Sequence, residues 1–298
     1  MNMRMKQLPL FNDMGKGSPR LRSYLNVLTV TVNRKGVLDI DTVKGCTIGM
    51  ATYPQGGCYG ECYAYKNARR YGFDFMHSVS RQFMGREHKG TLIKLMNTYM
   101  AGWYRIGTAG DPCHDWKHTV AICWALWHTH KVPVIITKHW IILEDWMIDK
   151  LLHLRAVVNT SVSGMDTDGE LQHRLAQLER LRAAGMRSIL RVVTCHYGQS
   201  VWARRCKEKQ DYLLSLVPVI DNPLRARKLN PHVVNGDLVI ARKDEAVGGG
   251  KYISLNSPAA YLGTCRACPD QCGVDPATIS NMEKEKWNEN QTSGTLPF

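Results

Sequence analysis

The chain has 298 residues, of which 44% are hydrophobic and 22% charged, and this composition excludes a mainly disordered protein. Lys and Arg number 39 against 26 Asp and Glu, so the net charge is +13 and favours a polyanionic partner, nucleic acid first. No apolar run approaches the roughly 18 residues of a membrane span, and the N-terminus lacks the apolar stretch of a secretory signal. We therefore expect a cytoplasmic protein without membrane contact, whose ten cysteines indicate metal binding or catalysis before disulfides.

The first part of the chain predicts an arm and a hairpin. Residues 1–25 are basic and contain a Gly, Ser and Pro stretch, which predicts a flexible arm. Alternating β-branched residues at 27–32, a turn at 33–36 and a second run at 37–40 predict a β-hairpin. Short β-rich runs then alternate with helical segments. We predict helices at 78–101, 117–128, 143–154, 171–184 and 206–216, and strands at 104–108, 133–138, 156–162, 187–194 and 217–220.

This alternation is typical of βαβ units, in which the strands are parallel and the crossovers right-handed. The predicted fold is therefore α/β, with five or six units forming a partial or full (β/α) barrel over residues 26–245, the hairpin included. Residues 246–298 contain three cysteines and a polar end, and we expect them to form a metal-binding extension and a tail.

A first group of cysteines, Cys46, Cys58 and Cys62, lies in a loop after the first strand-like segment of the core, with the spacing C-x11-C-x3-C. The loop also contains four glycines, Gly49, Gly56, Gly57 and Gly60. Thiolates suit zinc or iron–sulfur clusters, and glycine allows the backbone to approach a cluster closely. Three thiolates leave one iron of a cubane open, whereas structural zinc usually takes four ligands. Buried free cysteines and a zinc site with a distant ligand are the alternatives.

This loop, at the carboxyl end of a first barrel strand, resembles that of radical SAM enzymes. The usual family spacing is C-x3-C-x2-C, but the third position after Cys58 and Cys62 is Tyr65, so Cys46 would supply the third thiolate. Together with the Cys-Tyr-Ala sequence at 62–64, this spacing is similar to a divergent, largely phage-encoded branch of the family. The resemblance implies a [4Fe-4S] cluster whose open iron binds S-adenosylmethionine (SAM), and an electron donor such as a flavodoxin.

The resemblance also implies cofactor contacts at the carboxyl ends of the strands, where barrel active sites are built. Gly110 would let the backbone approach SAM and Asp111 would pair with its ammonium group, although this aspartate could instead cap the following helix. Arg191 stands in an apolar run, where a charged side chain needs a partner. SAM would be such a partner, and a salt bridge inside the barrel is the alternative. The predicted cofactor-binding set is completed by Lys138, Ser161 and Ser163.

A second group of cysteines, Cys265, Cys268 and Cys272, has the spacing C-x2-C-x3-C, which indicates a metal site. Cys113 or Cys195, each near a predicted strand end, is a candidate fourth ligand. Auxiliary iron–sulfur clusters held by C-terminal cysteines are common in radical SAM enzymes, so the resemblance implies a second cluster here. Zinc in a ribbon-like module that grips nucleic acid is the alternative.

The basic residues form three local groups that a phosphate backbone could contact, and such binding depends steeply on salt. The predicted nucleic-acid-binding residues are Lys66, Arg69, Arg70, Arg204, Arg205, Arg225, Arg227 and Lys228. A solvated basic surface without a partner is the alternative for any one group. A base in duplex DNA would have to flip out of the helix to reach a radical site in a barrel mouth.

The leading hypothesis is a radical SAM enzyme that generates a 5′-deoxyadenosyl radical to modify or rearrange a nucleic-acid base. The favoured substrate is a hypermodified thymine base in phage DNA, in the host cytoplasm. A non-catalytic nucleic-acid-binding protein stabilised by zinc or an iron–sulfur cluster is the main alternative. A barrel with one auxiliary cluster and no SAM chemistry is the third. The sequence leaves the catalytic residues, the fourth ligand and the oligomeric state open.

Overall fold

The computed structural model describes residues 26–32, 37–51, 59–243, 251–257, 260–263 and 265–292. The predicted basic arm, the turn of the hairpin and Cys58 lie outside the described residues. Within these ranges, no helix combines the length and the apolar character needed to cross a membrane.

Strands and helices alternate through the described part of the chain, as the sequence predicts. The strands are β1 (Val30–Val32), β2 (Leu38–Ile40), β3 (Val43–Lys44), β4 (Val79–Ser80), β5 (Trp103–Ile106), β6 (Val132–Thr137), β7 (Val157–Val162), β8 (Arg187–Thr194), β9 (His196–Tyr197), β10 (Val219–Ala226), β11 (Leu238–Val239), β12 (Arg242–Lys243) and β13 (Tyr252–Ser254). The helices are α1 (Thr47–Ala51), α2 (Tyr63–Arg70), α3 (Arg86–Asn97), α4 (Trp116–Ala125), α5 (Asp145–His153), α6 (Asp168–Ala183), α7 (Val201–Ser215), α8 (Pro231–Val234) and α9 (Pro276–Thr292).

Nine strands form one sheet in the order β1-β2-β5-β6-β7-β8-β10-β13-β12. The six strands from β2 to β10 pair in parallel, while β1 at one edge and β13 and β12 at the other pair antiparallel. The α/β class, the parallel strands and the hairpin of β1 with β2 are therefore confirmed. Within the described ranges β1 and β12 do not pair with each other, so the sheet is open and does not close into a full barrel.

The outer face of the sheet is covered by helices. Val162 of β7 and Leu190 and Val192 of β8 pack with Leu178 of α6 and Leu213 of α7. Helices α4 and α5 cover the neighbouring strands in a second apolar cluster. Parallel strands that are covered on both faces are usually rich in Val and Ile, which explains the apolar runs in the sequence.

The inner face of the sheet packs against the C-terminal segment. Val134, Val157 and Ile189, on three neighbouring strands, share an apolar cluster with Cys272 and with Met282 of α9. The predicted C-terminal extension is therefore part of the core rather than an appendage, because its apolar side chains cover the half of the sheet that the helices leave open.

Three predicted elements differ from the structure by more than three residues at one or both ends. The helix predicted for 78–101 is α3 alone, because β4 pairs with β3 before it and Gly85, with a φ of 128°, interrupts the helical path. The helix predicted for 206–216 is α7, which begins earlier, where the Ser200 hydroxyl caps it. The strand predicted for 217–220 is β10, which is longer because it pairs with β8 on one side and β13 on the other.

Candidate functional site

A cavity of about 180 Å³ lies at the carboxyl ends of β5, β6 and β7 and is also lined by residues of α1 and α2. Parallel strands present their carboxyl ends at one edge of a sheet, and binding sites of α/β proteins are built there. The wall contains two predicted cluster ligands and four predicted cofactor contacts. These six residues are Cys46, Cys62, Gly110, Asp111, Lys138 and Ser161.

Two local structures bring Cys46 and Cys62 to this cavity. The N–H of Cys46, just before α1, donates to the Phe75 carbonyl at 3.1 Å. Cys62 is buried and caps α2, since its Sγ accepts the Tyr65 N–H at 3.4 Å. Gly49 keeps space beside the first thiol, because a Cβ there would lie 2.6 Å from Cys46 Sγ. The structure therefore places two of the three predicted ligands on one cavity.

The side chains around the cavity bear on whether it fits a metal cofactor. The indole Nε1 of Trp140 is buried in the wall and has no hydrogen-bond partner within the described ranges. In that part of the chain, no group of three or more His, Cys, Asp and Glu side chains is arranged to hold a metal ion, and a set completed by Cys58 lies outside it. The two thiols can bind a metal or an iron–sulfur cluster as thiolates. The unpaired indole N–H can donate a hydrogen bond to a ligand beside it, so the residues present fit such a group.

The cysteine loop is fastened to the sheet at Tyr59. The Tyr59 hydroxyl donates to Asp166 Oδ1 at 2.7 Å and accepts from Lys138 Nζ, also at 2.7 Å. Lys138 follows β6 and Asp166 follows β7, so one phenol joins the loop to two strand ends. All three side chains are buried.

A buried ion pair supports this contact. Arg174 of α6 is 1% exposed and its NH1 lies 2.5 Å from Asp166 Oδ2. Burial alone would raise the pKa of Asp166, but the charges of Lys138 and Arg174 outweigh it and hold the pKa below its ordinary value. Asp166 is therefore ionised at neutral pH and keeps both cations in place.

Glu61 fastens the other side of the loop. Its Oε1 accepts the Arg227 N–H at 3.1 Å and Asn230 Nδ2 at 3.2 Å, while Oε2 pairs with Lys66 Nζ at 2.5 Å. The Asn230 amide also donates to the Tyr59 carbonyl at 3.1 Å. Residues 59–62 are therefore held between the ends of β6 and β7 and the end of β10. Sequence reasoning missed Tyr59, Glu61 and Asp166, although the first two stand within the cysteine loop.

Gly110 and Asp111 line the cavity, but both also have a structural role. A Cβ on Gly110 would lie 2.5 Å from the Val43 carbonyl oxygen, so glycine allows this segment to pair with Gly45. Asp111 Oδ1 caps the 3₁₀ helix Pro112–Asp115 and accepts the Thr137 hydroxyl, and Oδ2 accepts the Lys138 N–H at 2.8 Å. The capping role weighed for Asp111 is therefore confirmed.

A buried carboxylate that the sequence did not single out shapes the same wall. Asp41, just after β2, accepts the backbone N–H groups of Thr108 at 2.8 Å and Ala109 at 2.9 Å. It also accepts the Thr108 hydroxyl at 2.8 Å. These bonds hold the loop after β5, which carries Gly110, in the position that forms the cavity.

Two predicted cofactor contacts are not in this cavity. Ser163 is buried, and its hydroxyl donates to the Val193 carbonyl at 3.0 Å, so it supports the turn after β7. Arg191 lies in β8 on the inner face, where its NH2 donates to Asn222 Oδ1 at 3.0 Å and its NH1 lies 3.9 Å from Cys272 Sγ. Neither residue therefore lines this cavity, since Arg191 lies three residues before the end of its strand and faces the second cysteine group.

The second group of cysteines lines its own pocket on the inner face, beside β8 and β10. Cys272 is buried in the inner-face cluster, and its carbonyl accepts Asn159 Nδ2 at 2.9 Å. Cys265 and Cys268 are partly exposed, and burial raises the pKa of the Cys268 thiol. The three thiols line one pocket, with Arg191 in its wall, but in the described part of the chain their side chains are not arranged as a metal-holding group.

The candidate fourth ligands do not reach this pocket. Cys113 and Cys195 are completely buried in other core clusters, and burial raises the pKa of both thiols far above the usual range. The pocket wall contains two carboxylates instead, Asp221 and Asp270. Asp270 Oδ2 lies 4.0 Å from Cys268 Sγ. Burial raises the pKa of Asp221, and the charge of Asp270 adds to the effect.

The predicted nucleic-acid-binding residues fall into three sets. Lys66 and the Arg227 N–H contact the Glu61 carboxylate at the edge of the cavity, near Lys251, which sequence reasoning missed. Arg225 lines the second pocket instead. The remaining residues are exposed and belong to neither of these sets. They are Arg69 and Arg70 on α2, Arg204 and Arg205 on α7, and Lys228 after β10.

Comparison with known proteins gives no match on which a function could be based. No family model matches the chain, and no curated protein matches it. The cavity at the carboxyl edge, with its two thiols and its charged wall, is therefore the main ground for assigning a function.

Proposed function

We propose that the chain is a radical SAM enzyme whose Cys46, Cys58 and Cys62 hold a [4Fe-4S] cluster in the cavity at the carboxyl ends of the strands. One observation carries the proposal. Cys46 precedes α1 and Cys62 caps α2, yet both line one cavity at the edge where α/β enzymes bind their ligands. The cysteine spacing and the Cys-Tyr-Ala sequence at 62–64 support the same assignment.

The fold supports the proposal through the run of parallel strands. Six strands from β2 to β10 are parallel, and the cysteine loop follows the first of them. We take this run as a partial barrel of the radical SAM type. The C-terminal segment packs on its inner face, where it covers the part of the sheet opposite the cavity.

The chain's own residues would bind SAM and exclude water from it. When bound, the cluster would supply one electron, received from a donor such as a flavodoxin, for the reductive cleavage of SAM to methionine and a 5′-deoxyadenosyl radical. Lys138 and Ser161 offer polar groups to the bound molecule, and the unpaired indole Nε1 of Trp140 offers a donor. Met50 and Ile136 form apolar parts of the wall that limit the access of water.

We propose that the substrate is nucleic acid, in the favoured case a hypermodified thymine base of phage DNA in the host cytoplasm. The net charge of +13 supports a polyanion. The cations next to Glu61 support a contact at the cavity edge itself, where a base would have to enter.

We propose that Cys265, Cys268 and Cys272 hold an auxiliary iron–sulfur cluster, with zinc as the alternative metal. The three thiols line one pocket, and the guanidinium of Arg191 lies 3.9 Å from Cys272 Sγ, where it would stabilise a thiolate. Of the two carboxylates in this pocket, Asp270 lies 4.0 Å from Cys268 Sγ and would offer a further coordination position.

The alternative function is a non-catalytic nucleic-acid-binding protein stabilised by metal. The observation that favours it is the burial of Cys272 in the inner-face cluster, since a structural metal site is normally integrated into a core in this way. Only the enzyme cleaves SAM, so SAM cleavage separates the two proposals.

Anaerobic purification followed by metal analysis and a SAM cleavage assay tests the proposal. We expect brown protein with absorbance near roughly 400 nm and release of 5′-deoxyadenosine after reduction. Cys46→Ala and Cys62→Ala should abolish the release and lower bound iron. Cys123→Ala, at a buried thiol of α4, is the matched control and should keep both. Colourless protein with stoichiometric zinc would reject the enzyme and favour the alternative.

A further inference from the structure

A group of cations lies beside the cavity, and we call Lys66, Arg227 and Lys251 the cationic rim. Lys66 Nζ pairs with Glu61 Oε2, the Arg227 N–H donates to Glu61 Oε1, and the register of β13 on β10 sets Lys251 opposite Arg227. Burial lowers the pKa of Lys251, the charge of Glu61 opposes this, and the charges of Lys66 and Arg227 lower it further.

The topology of the sheet creates the rim. β13 pairs antiparallel with β10, with Tyr252 opposite Ala226, so Lys251 and Arg227 flank the same register position. Lys66 comes from α2 and reaches the group through its ion pair with Glu61. Residues from three separate parts of the sequence thus converge at one end of β10.

The protection of the sheet edge against pairing with other chains does not by itself account for the cationic rim. Charged residues on an edge strand discourage pairing with other chains, and the exposed Arg242 and Lys243 of β12 serve that purpose. Lys66 and Lys251 are partly buried instead, where clustered positive charge is unfavourable unless an anion balances it. The oxygens of Glu61 already accept three hydrogen bonds, from Lys66, the Arg227 N–H and Asn230.

The rim continues into the cavity through an aromatic ring. Tyr63 lines the cavity, is 48% exposed, and has Lys251 Nζ 5.9 Å from its ring centroid. Glu61 also lines the cavity, so the cations and the ring border the same opening. Cations that track phosphates next to an exposed aromatic ring form the usual recognition surface for single-stranded nucleic acid.

We infer that the cationic rim binds the phosphates of a single-stranded polynucleotide segment and that Tyr63 stacks on the nucleotide entering the cavity. The inference deepens the proposed function, because it assigns the position of the nucleic acid at the proposed active site. Binding of the strand itself requires only the rim and the ring, so it can be measured separately from SAM cleavage.

The test is fluorescence anisotropy of a labelled 20-nucleotide oligo(dT) with the full-length, anaerobically purified protein over a series of NaCl concentrations. For single strands the slope of log K against log salt is about −0.7 per phosphate neutralised. Arg227→Gln/Lys251→Gln should therefore flatten the slope by about 1.4 and weaken binding on the order of tenfold at low salt. Tyr63→Leu should weaken binding about tenfold with little change of slope.

A matched control is Arg86→Gln/Lys94→Gln, which removes two exposed cations from α3, beside β1 at the opposite edge of the sheet. It should bind as the unchanged protein does. Circular dichroism of each variant establishes that it is folded. An unchanged salt slope in the rim variant, an equal loss in the control, or binding of a duplex as tight as that of the single strand overturns the inference. Loss of SAM cleavage with intact, rim-dependent strand binding would count against the proposed function alone.

Discussion

The Lys138 ammonium group lies 2.7 Å from the Tyr59 hydroxyl, which in turn donates to Asp166. This buried chain of polar groups joins the cysteine loop to the ends of β6 and β7. It means that the loop residue next to Cys58 in the sequence is positioned by the sheet rather than by local turn geometry. The stability of the fold and the geometry of the proposed cluster site are therefore linked through one phenol.

Tyr59→Phe removes that hydroxyl while keeping the ring. We expect a loss of about 1–3 kcal/mol in the free energy of unfolding, because two buried partners lose a hydrogen bond. The iron content after anaerobic purification should fall as well, since the cysteine loop loses one anchor. Urea denaturation and iron analysis measure the two effects. Tyr212→Phe on α7, where the ring is 58% exposed, is the control and should change neither.

Gly110→Ala tests the close approach of the loop after β5 to the segment that follows β2. The new Cβ would meet the Val43 and Gly45 carbonyl oxygens at 2.5 and 2.7 Å, and backbone atoms cannot move aside without breaking the pairing. We expect about 1–3 kcal/mol of destabilisation in chemical denaturation. The same change at Gly90, in α3, meets no atom within 4 Å and should raise helix stability slightly. Equal effects at the two glycines would contradict the steric argument.

The stability of the fold should depend on the titration of His139. Burial lowers the pKa of His139 to about 4, against an ordinary value of 6.5. The unfolded chain therefore binds a proton near pH 6.5 that the folded chain does not accept until about pH 4, so stability falls as the pH falls through this window. The loss amounts to about 3 kcal/mol in total.

His139→Asn should remove this part of the pH dependence, and asparagine also tolerates the positive φ of 51° at this position. Urea denaturation at a series of pH values from 7 to 4 measures it. An unchanged slope in His139→Asn would show that other groups produce the pH dependence.

Substitutions in the second cysteine group should lower the metal content, whereas substitutions at the two buried cysteines outside its pocket should not. Cys268→Ser should lose the metal bound at the second pocket. It should keep the cluster that binds SAM, since the two pockets are lined by different residues. Cys113→Ser and Cys195→Ser should keep all of the metal, because neither thiol lines the second pocket. Metal analysis by mass spectrometry is the measurement. Equal metal loss in Cys195→Ser and Cys268→Ser would identify Cys195 as a ligand after all.

Much of the fold could be predicted because the relevant signals are local. The strand predicted for 187–194 has those bounds in the structure. The hairpin follows from two β-rich runs on either side of a turn, and the parallel pairing follows from the alternation of strands and helices. The helix predicted for 78–101 was too long, because the pairing of β4 with β3 cannot be read from the run of residues itself.

The sequence by itself determined which chemistry-bearing residues exist and which of them stand at strand ends. It identified both cysteine groups, Lys138 and the basic residues, since short spacings and compositional bias are visible in one dimension. Only the tertiary structure decided which side chains share a site. It directed Arg191 to the second cysteine group, brought Asp166 to Tyr59 and placed Lys251 in the cationic rim. These contacts join residues far apart in the chain, and the order of the strands in the sheet brings them together.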